Sequence, residues 1–188
     1  AGDSVRKLTW PSAPTSVRGG PSVANPPHQR PGRTQDSRWL RLSGVDELDT
    51  FLQAWSTSAD ELFVAVADLT PEQWAAPSDC PGWSAKDVLS HLAAFENELA
   101  TGAMPAPLIP LPGKPPSAWW IQAGVAQRRD WEPERILAEL KESVAQRRAA
   151  YAANPPTDPT GKPPQQIGNL TWDNRTLLRN RAIDMWVH

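Results

Sequence analysis

The sequence predicts an all-α fold, an antiparallel-type four-helix bundle with long crossover loops. Four segments carry apolar residues at alternating steps of three and four, the spacing that lines one face of a helix. No segment shows the strict alternation of a half-buried strand, and no internal repeat is present. The 21 prolines gather outside these segments, where they end helices and stiffen connections. At 188 residues the chain can hold one ordinary domain with a sizeable core.

Residues 1–43 hold six prolines, several Gly, Ser and Arg, and no sustained apolar period. Such a stretch cannot bury enough surface to offset the entropy of ordering, so a disordered Pro/Arg-rich tail is expected there and the bundle over 44–188. The tail carries seven Lys/Arg against two Asp/Glu, but the charges are scattered and no aromatic platform accompanies them. Nucleic acid is therefore not an expected partner. His28 in this tail reads as a solvated histidine. The chain begins with Ala1, which reads as a processed end or a piece of a longer frame.

From Val45 the stripe Leu48, Leu52, Trp55, Ala59, Leu62, Val66 and Leu69 predicts a long first helix. Thr70 with Pro71 then predicts a short capped turn, followed by a tight loop at "APSDCPGW". Ser84 and Asp87 form a capping-box-like pair opening a second main helix, whose inward stripe is Val88, His91 or Leu92, Phe95 and Leu99. The stretch from Gly102 to Glu132 is dense in proline and is expected to be a long, stiffened connection.

Pro133 suits the first position of a third main helix, with Leu137, Leu140, Val144 and Tyr151 inward. Prolines from 155 to 164 close it. The last segment starts between Thr171 and Asp173, and its apolar positions are Leu177, Leu178, Ala182, Met185 and Trp186. It reaches the chain end without a Gly cap, so a truncated helix is expected. Ten tryptophans read as packing residues and loop anchors. A single cysteine excludes an intramolecular disulfide, and no apolar run is long enough to span a bilayer, so a cytoplasmic protein without membrane association is expected.

The chemistry-bearing residues are few. Asp184 and His188 stand one helical turn apart on one face, and His91 sits on the inward stripe of another helix. Two imidazoles and a carboxylate leave a fourth position open, which is how catalytic zinc is commonly held, although N/O ligands also suit nickel, iron or cobalt. The bland alternative is a hydrogen-bonded core histidine and an ordinary surface pair. Arg181, three residues before Asp184, is placed to orient that carboxylate; Arg175 and Arg179 read as a solvated or salt-bridging face. Cys80 has only Asp79 as a local ionisable neighbour and reads as a loop-packing residue rather than a nucleophile.

The run "LTPEQWAAPSDCPGWSAKDVLSHLAAFENELA" and the later "NRAIDMWVH" resemble the two hallmark segments of the mycothiol-dependent maleylpyruvate isomerase family's N-terminal metal-binding domain, a branch of the DinB-like four-helix bundles. The first matches in the C-P-G-W-S turn and the H-L that follows, the second in an R-x-x-D/E-x-W-x-H pattern. The resemblance spans roughly residues 48 to 188. It implies that His91, Asp184 and His188 hold a divalent metal, zinc first among the candidates, with Asp184 at a position that is Glu in some members. It further implies mycothiol as a thiol cosubstrate whose thiolate attacks an electrophilic small molecule, in thiol transfer or maleylpyruvate isomerisation, with no protein nucleophile. The proline-rich segment 102–131 and the loop 153–172 are then expected to form the pocket mouth. The chain stops before the smaller C-terminal domain that completes the isomerase. The competing reading is a non-catalytic metal-binding or protein-interaction bundle.

Overall fold

The computed structural model of the protein describes residues 44–188 except Pro107 and Ile109, with side chains from Glu47 onward. The tail expected over 1–43, with His28, lies outside the described residues. Six helices follow one another: α1 (Gly44–Ala65), α2 (Pro71–Ala75), α3 (Ala85–Thr101), α4 (Pro116–Gln127), α5 (Pro133–Ala153) and α6 (Asn174–Val187). Among the described residues there is no strand beyond an isolated bridge between Pro77 and Ser84. The all-α bundle expected from the apolar periodicity is therefore the observed fold. No helix among the described residues is long and apolar enough to cross a membrane.

Local chemistry explains the boundaries. Thr70 caps α2, its hydroxyl accepting from Gln73 N while the Gln73 side chain accepts from Thr70 N. Ser84 and Asp87 close the same reciprocal box at the start of α3. Each box satisfies two backbone N–H groups that the first helical turn leaves without partners. Asp173 caps α6 through Thr176 N at 2.7 Å. Prolines open α2, α4 and α5, where a missing N–H costs nothing.

The four long helices α1, α3, α5 and α6 make the bundle: α3 lies on α5, α1 on α6, and α1 also touches α5. Trp55 and Ala59 of α1, Leu89, Leu92 and Ala93 of α3, Ile136, Leu140 and Val144 of α5, and Ala182 and Met185 of α6 form one core. Helix α1 ends at Ala65, so Val66 and Leu69 of the expected stripe belong to the following connection, yet both still pack on the core.

Two expectations are corrected. The stretch 102–132 is not an unbroken connection, because α4 occupies its second half. The prolines stop at Pro116, the first helical position, and the "SAWWIQAGVAQ" that follows has none to break a helix. Helix α4 packs against α3 so closely that a Cβ on Gly124 would lie 2.6 Å from Ala94 Cβ. Trp186 is not an inward residue: it is 73 % exposed, alongside the exposed Ile183 and Val187, one step beyond the edge of the buried stripe of α6. The other tryptophans follow the packing-and-anchor expectation where they are described; Trp119 Nε1, for example, donates to the carbonyls of Leu111 and Lys114 and ties the proline-rich loop to α4.

Candidate metal centre

Helix α3 brings His91 to face Asp184 and His188 on α6. One ligand atom from each residue falls within 4.8 Å of the others. His91 is buried, 4 % exposed, with its ring near those of Trp83 and Phe95 at centroid distances of 5.5 and 4.6 Å. Its Nε2 lies 3.5 Å from Asp184 Oδ1 and 3.3 Å from Oδ2. His188 Nε2 lies 3.6 Å from the same Oδ1. The three residues singled out from spacing are thus brought together across two helices.

Arg181 engages one carboxylate oxygen of Asp184. Its Nη1 donates to Oδ2 at 2.6 Å; His188 Nε2 faces Oδ1, and His91 Nε2 lies near both oxygens. Burial by itself would raise the Asp184 pKa, but the Arg181 guanidinium and His91 outweigh it and hold the carboxyl well below its usual range. Burial keeps the His188 imidazole below its ordinary pKa, with His91 and Arg181 adding to the effect against the pull of Asp184. An ionised carboxylate and a neutral imidazole are the forms that ligate a metal.

The donor set fits a divalent cation. Two ligand atoms bound at about 2.0–2.2 Å in a tetrahedral arrangement stand about 3.3–3.6 Å apart. The separations of 3.3 to 3.6 Å between the imidazole nitrogens and the carboxylate match that spacing. His91 Nδ1 is buried and makes no hydrogen bond in the protein. Carrying the proton there leaves the Nε2 lone pair aimed at a carboxylate, an arrangement a cation relieves.

Behind Asp184 lies a buried charge network that the sequence reading missed. Glu96 of α3 is fully buried and accepts from Arg181 Nε at 3.0 Å, from Trp55 Nε1 at 3.2 Å and from Arg147 Nη1. Burial would raise the Glu96 pKa, yet the two guanidiniums outweigh it and lower it. Arg147, also buried, lies over Trp55 and donates to the Tyr151 hydroxyl at 2.8 Å. Two positive and two negative groups thus alternate from Arg147 through Glu96 and Arg181 to Asp184. The signal was present: Glu96, Arg147 and Arg181 each fall on the apolar stripe of their helix, where a charge requires a partner.

Cys80 does hold its loop, its backbone N donating to Ser78 Oγ at 3.2 Å, but its Sγ also lies 3.7 Å from His188 Nδ1. The thiol therefore addresses the nitrogen of His188 that faces away from Asp184. Of the arginines read as a solvated or salt-bridging face, Arg179 is exposed and Arg175 pairs with Glu47 at 2.9 Å.

The three residues open onto a cavity of about 860 Å³. Its walls come from the C-P-G-W loop, the proline-rich segment with α4, and the loop before α6, as the expected pocket mouth required. Glu98 of α3 ties two of these walls together: Trp120 Nε1 donates to its Oε2 at 2.9 Å, and Gly168 N to its Oε1 at 2.8 Å. Gly168, at φ +58°, sits against the Trp120 ring so tightly that a Cβ would come within 1.6 Å of it.

Comparison with curated proteins and with solved structures finds no match. The family model described as the mycothiol maleylpyruvate isomerase N-terminal domain matches residues 55–188, a span that takes in α2 to α6, the second half of α1 and all three converging residues. With the His/Asp/His cluster at the mouth of a cavity in an all-α bundle, the chain belongs to the mycothiol maleylpyruvate isomerase N-terminal domain family.

Proposed function

We propose that this chain is a divalent-metal-dependent enzyme that uses a low-molecular-weight thiol, mycothiol, to attack an electrophilic small molecule, as a thiol transferase or an isomerase of the maleylpyruvate type. The observation that carries the reading is the convergence of His91, Asp184 and His188 at the edge of the cavity. Three protein donors leave room for one more ligand, as in catalytic rather than structural zinc sites. Zinc suits the set best; nickel, iron and cobalt suit it too. Bound there, the cation would keep a thiol as its thiolate at neutral pH.

The protein's own groups do the rest. Arg181 holds Asp184 by Oδ2, so the carboxylate cannot rotate away from the imidazoles. Trp83 and Phe95 confine the His91 ring. The cavity walls are largely apolar, which strengthens the electrostatics felt by the attacking sulfur and the electrophile. Cys80 serves as a neighbour of His188 and not as a nucleophile. The lone cysteine of the chain also suits a cytoplasmic, reducing setting.

A second reading, a non-catalytic metal-binding or protein-interaction bundle, draws on the exposed Ile183, Trp186 and Val187 of α6. One experiment separates the two. Cobalt-loaded protein titrated with mycothiol should change its visible spectrum as sulfur enters the coordination shell, and His91→Ala should abolish the metal uptake. Full metal loading with no spectral response to thiol would favour the second reading, and a chain that takes up no metal under metal-replete conditions would sink the first and leave only the protein-interaction form of the second.

A further inference from the structure

We infer that the electrophile this cavity receives is a neutral, largely apolar molecule of about ring size, and not a carboxylate; the inference rests on the thiol reading above and selects its transferase arm, since maleylpyruvate is itself a carboxylate. The cavity of about 860 Å³ lies toward the upper end of the ~300–1,000 Å³ found for small-molecule sites, so a thiol and a second molecule fit together. Much of the lining is aromatic and branched aliphatic, with Phe95, Trp120, Ile121, Ile167, Leu170 and Trp172 all contributing. Such a surface stabilises flat apolar groups, and the polar lining side chains Ser117, Gln122, Asn169 and Asn180 carry no charge to set against a carboxylate.

Charge points the same way. Among the described lining residues the acidic and basic side chains are Asp79, Lys114 and Asp184, one cation against two anions. A divalent cation and a bound thiolate together add one positive charge, so the loaded cavity is balanced before the electrophile enters. The next cation, Arg181, is fully buried behind Asp184, does not line the cavity, and is engaged by Asp184 and Glu96. A carboxylate substrate would therefore enter uncompensated.

With an aryl chloride as electrophile the step balances simply. The thiolate sulfur donates its electron pair to form the S–C bond, the C–Cl bond breaks, and chloride leaves with that bond's pair; the thiol proton has already passed to water. Conjugate addition to a neutral enone fits equally, the carbon beside the carbonyl then taking a proton from solvent.

The test uses matched pairs that differ by one carboxylate. Quenching of tryptophan fluorescence in the metal-free chain compares dinitrobenzene with dinitrobenzoate, and turnover by the zinc-loaded chain with mycothiol compares chlorodinitrobenzene with chlorodinitrobenzoate, each rate divided by its uncatalysed rate. A preference of about tenfold or more for the neutral member in both measurements is expected, the scale of leaving one charge without a partner. Ser117→Lys, at an exposed position on the cavity edge, should narrow that preference several-fold. Equal or reversed preference in the native chain overturns the inference, as does a preference that Ser117→Lys leaves unchanged. If mycothiol fails to perturb the cobalt spectrum, the thiol reading falls separately, and the quenching ratio still decides whether this cavity prefers neutral ligands.

Discussion

Arg181 joins Asp184 to Glu96: its Nη1 donates to Asp184 Oδ2 at 2.6 Å and its Nε to Glu96 Oε1 at 3.0 Å. One guanidinium therefore both orients the only carboxylate of the candidate metal centre and neutralises a carboxylate at the heart of the bundle. Replacing it should disturb both. Arg181→Met is expected to lower metal affinity by about 10–100-fold, the usual effect of losing a partner that orients a ligand. Competition with a chromophoric chelator measures this, and unchanged affinity would show that Asp184 needs no such support.

Glu96 should matter for stability more than for chemistry. Removing its charge leaves Arg147 and Arg181 buried together, with Asp184 as the nearest remaining anion. Glu96→Leu is expected to destabilise the fold by about 3–5 kcal/mol, the cost of breaking a buried ion pair on one side. Glu96→Gln, which still accepts a hydrogen bond, should cost less. Urea unfolding of both variants checks the order.

Cys80 gives a sharper contrast. If its thiol only supports His188 through Nδ1, Cys80→Ala should weaken metal binding by less than about tenfold and leave turnover at saturating metal nearly intact. Loss of turnover with metal still bound would make the thiol a participant in the reaction and overturn the assignment.

Gly168→Ala tests the cavity wall. The added methyl group meets the Trp120 ring, and the backbone at φ +58° disfavours any side chain. A loss of about 1–3 kcal/mol is expected, as for other overpacked sites, together with a change in tryptophan emission as Trp120 is displaced. Wild-type emission and stability would show that the wall yields freely.

Glu98 supplies a pH signature. Burial raises its pKa, and the hydrogen bonds from Gly168 and Trp120 only partly offset this. A carboxyl whose folded pKa lies above the unfolded value contributes stability that is fully present below the unfolded pKa, about 4.3, and is lost as the pH rises through the folded one. The stability gap between the native chain and Glu98→Gln should therefore shrink as the pH is raised from about 4 toward neutrality. Denaturant titrations at several pH values measure the gap, and a gap that widens would contradict the raised pKa.

Much of the secondary structure was legible because its causes are short-range. The capping boxes at Thr70 and Ser84, the prolines opening α2 and α5, and the three-and-four stripes of α1, α3 and α5 each act within one or two turns. Helix α4 was missed because the prolines crowded between 105 and 116 mask residues 117–127, which hold no proline. Trp186 was misplaced because apolar character alone does not say where a buried stripe ends.

By itself the sequence determined that the bundle over the described residues is all-helical, where most helices begin, and that Asp184 and His188 share a face while His91 points inward. Tertiary structure decided everything that depends on atoms far apart in the chain. Glu96 meets Arg181 across 85 positions and Arg147 across 51, Cys80 meets His188 across 108, and Glu98 gathers Trp120 and Gly168 into one wall. Helical periodicity sets the direction of a side chain from its own axis, but which group it meets depends on how neighbouring helices are packed, and no local pattern carries that information.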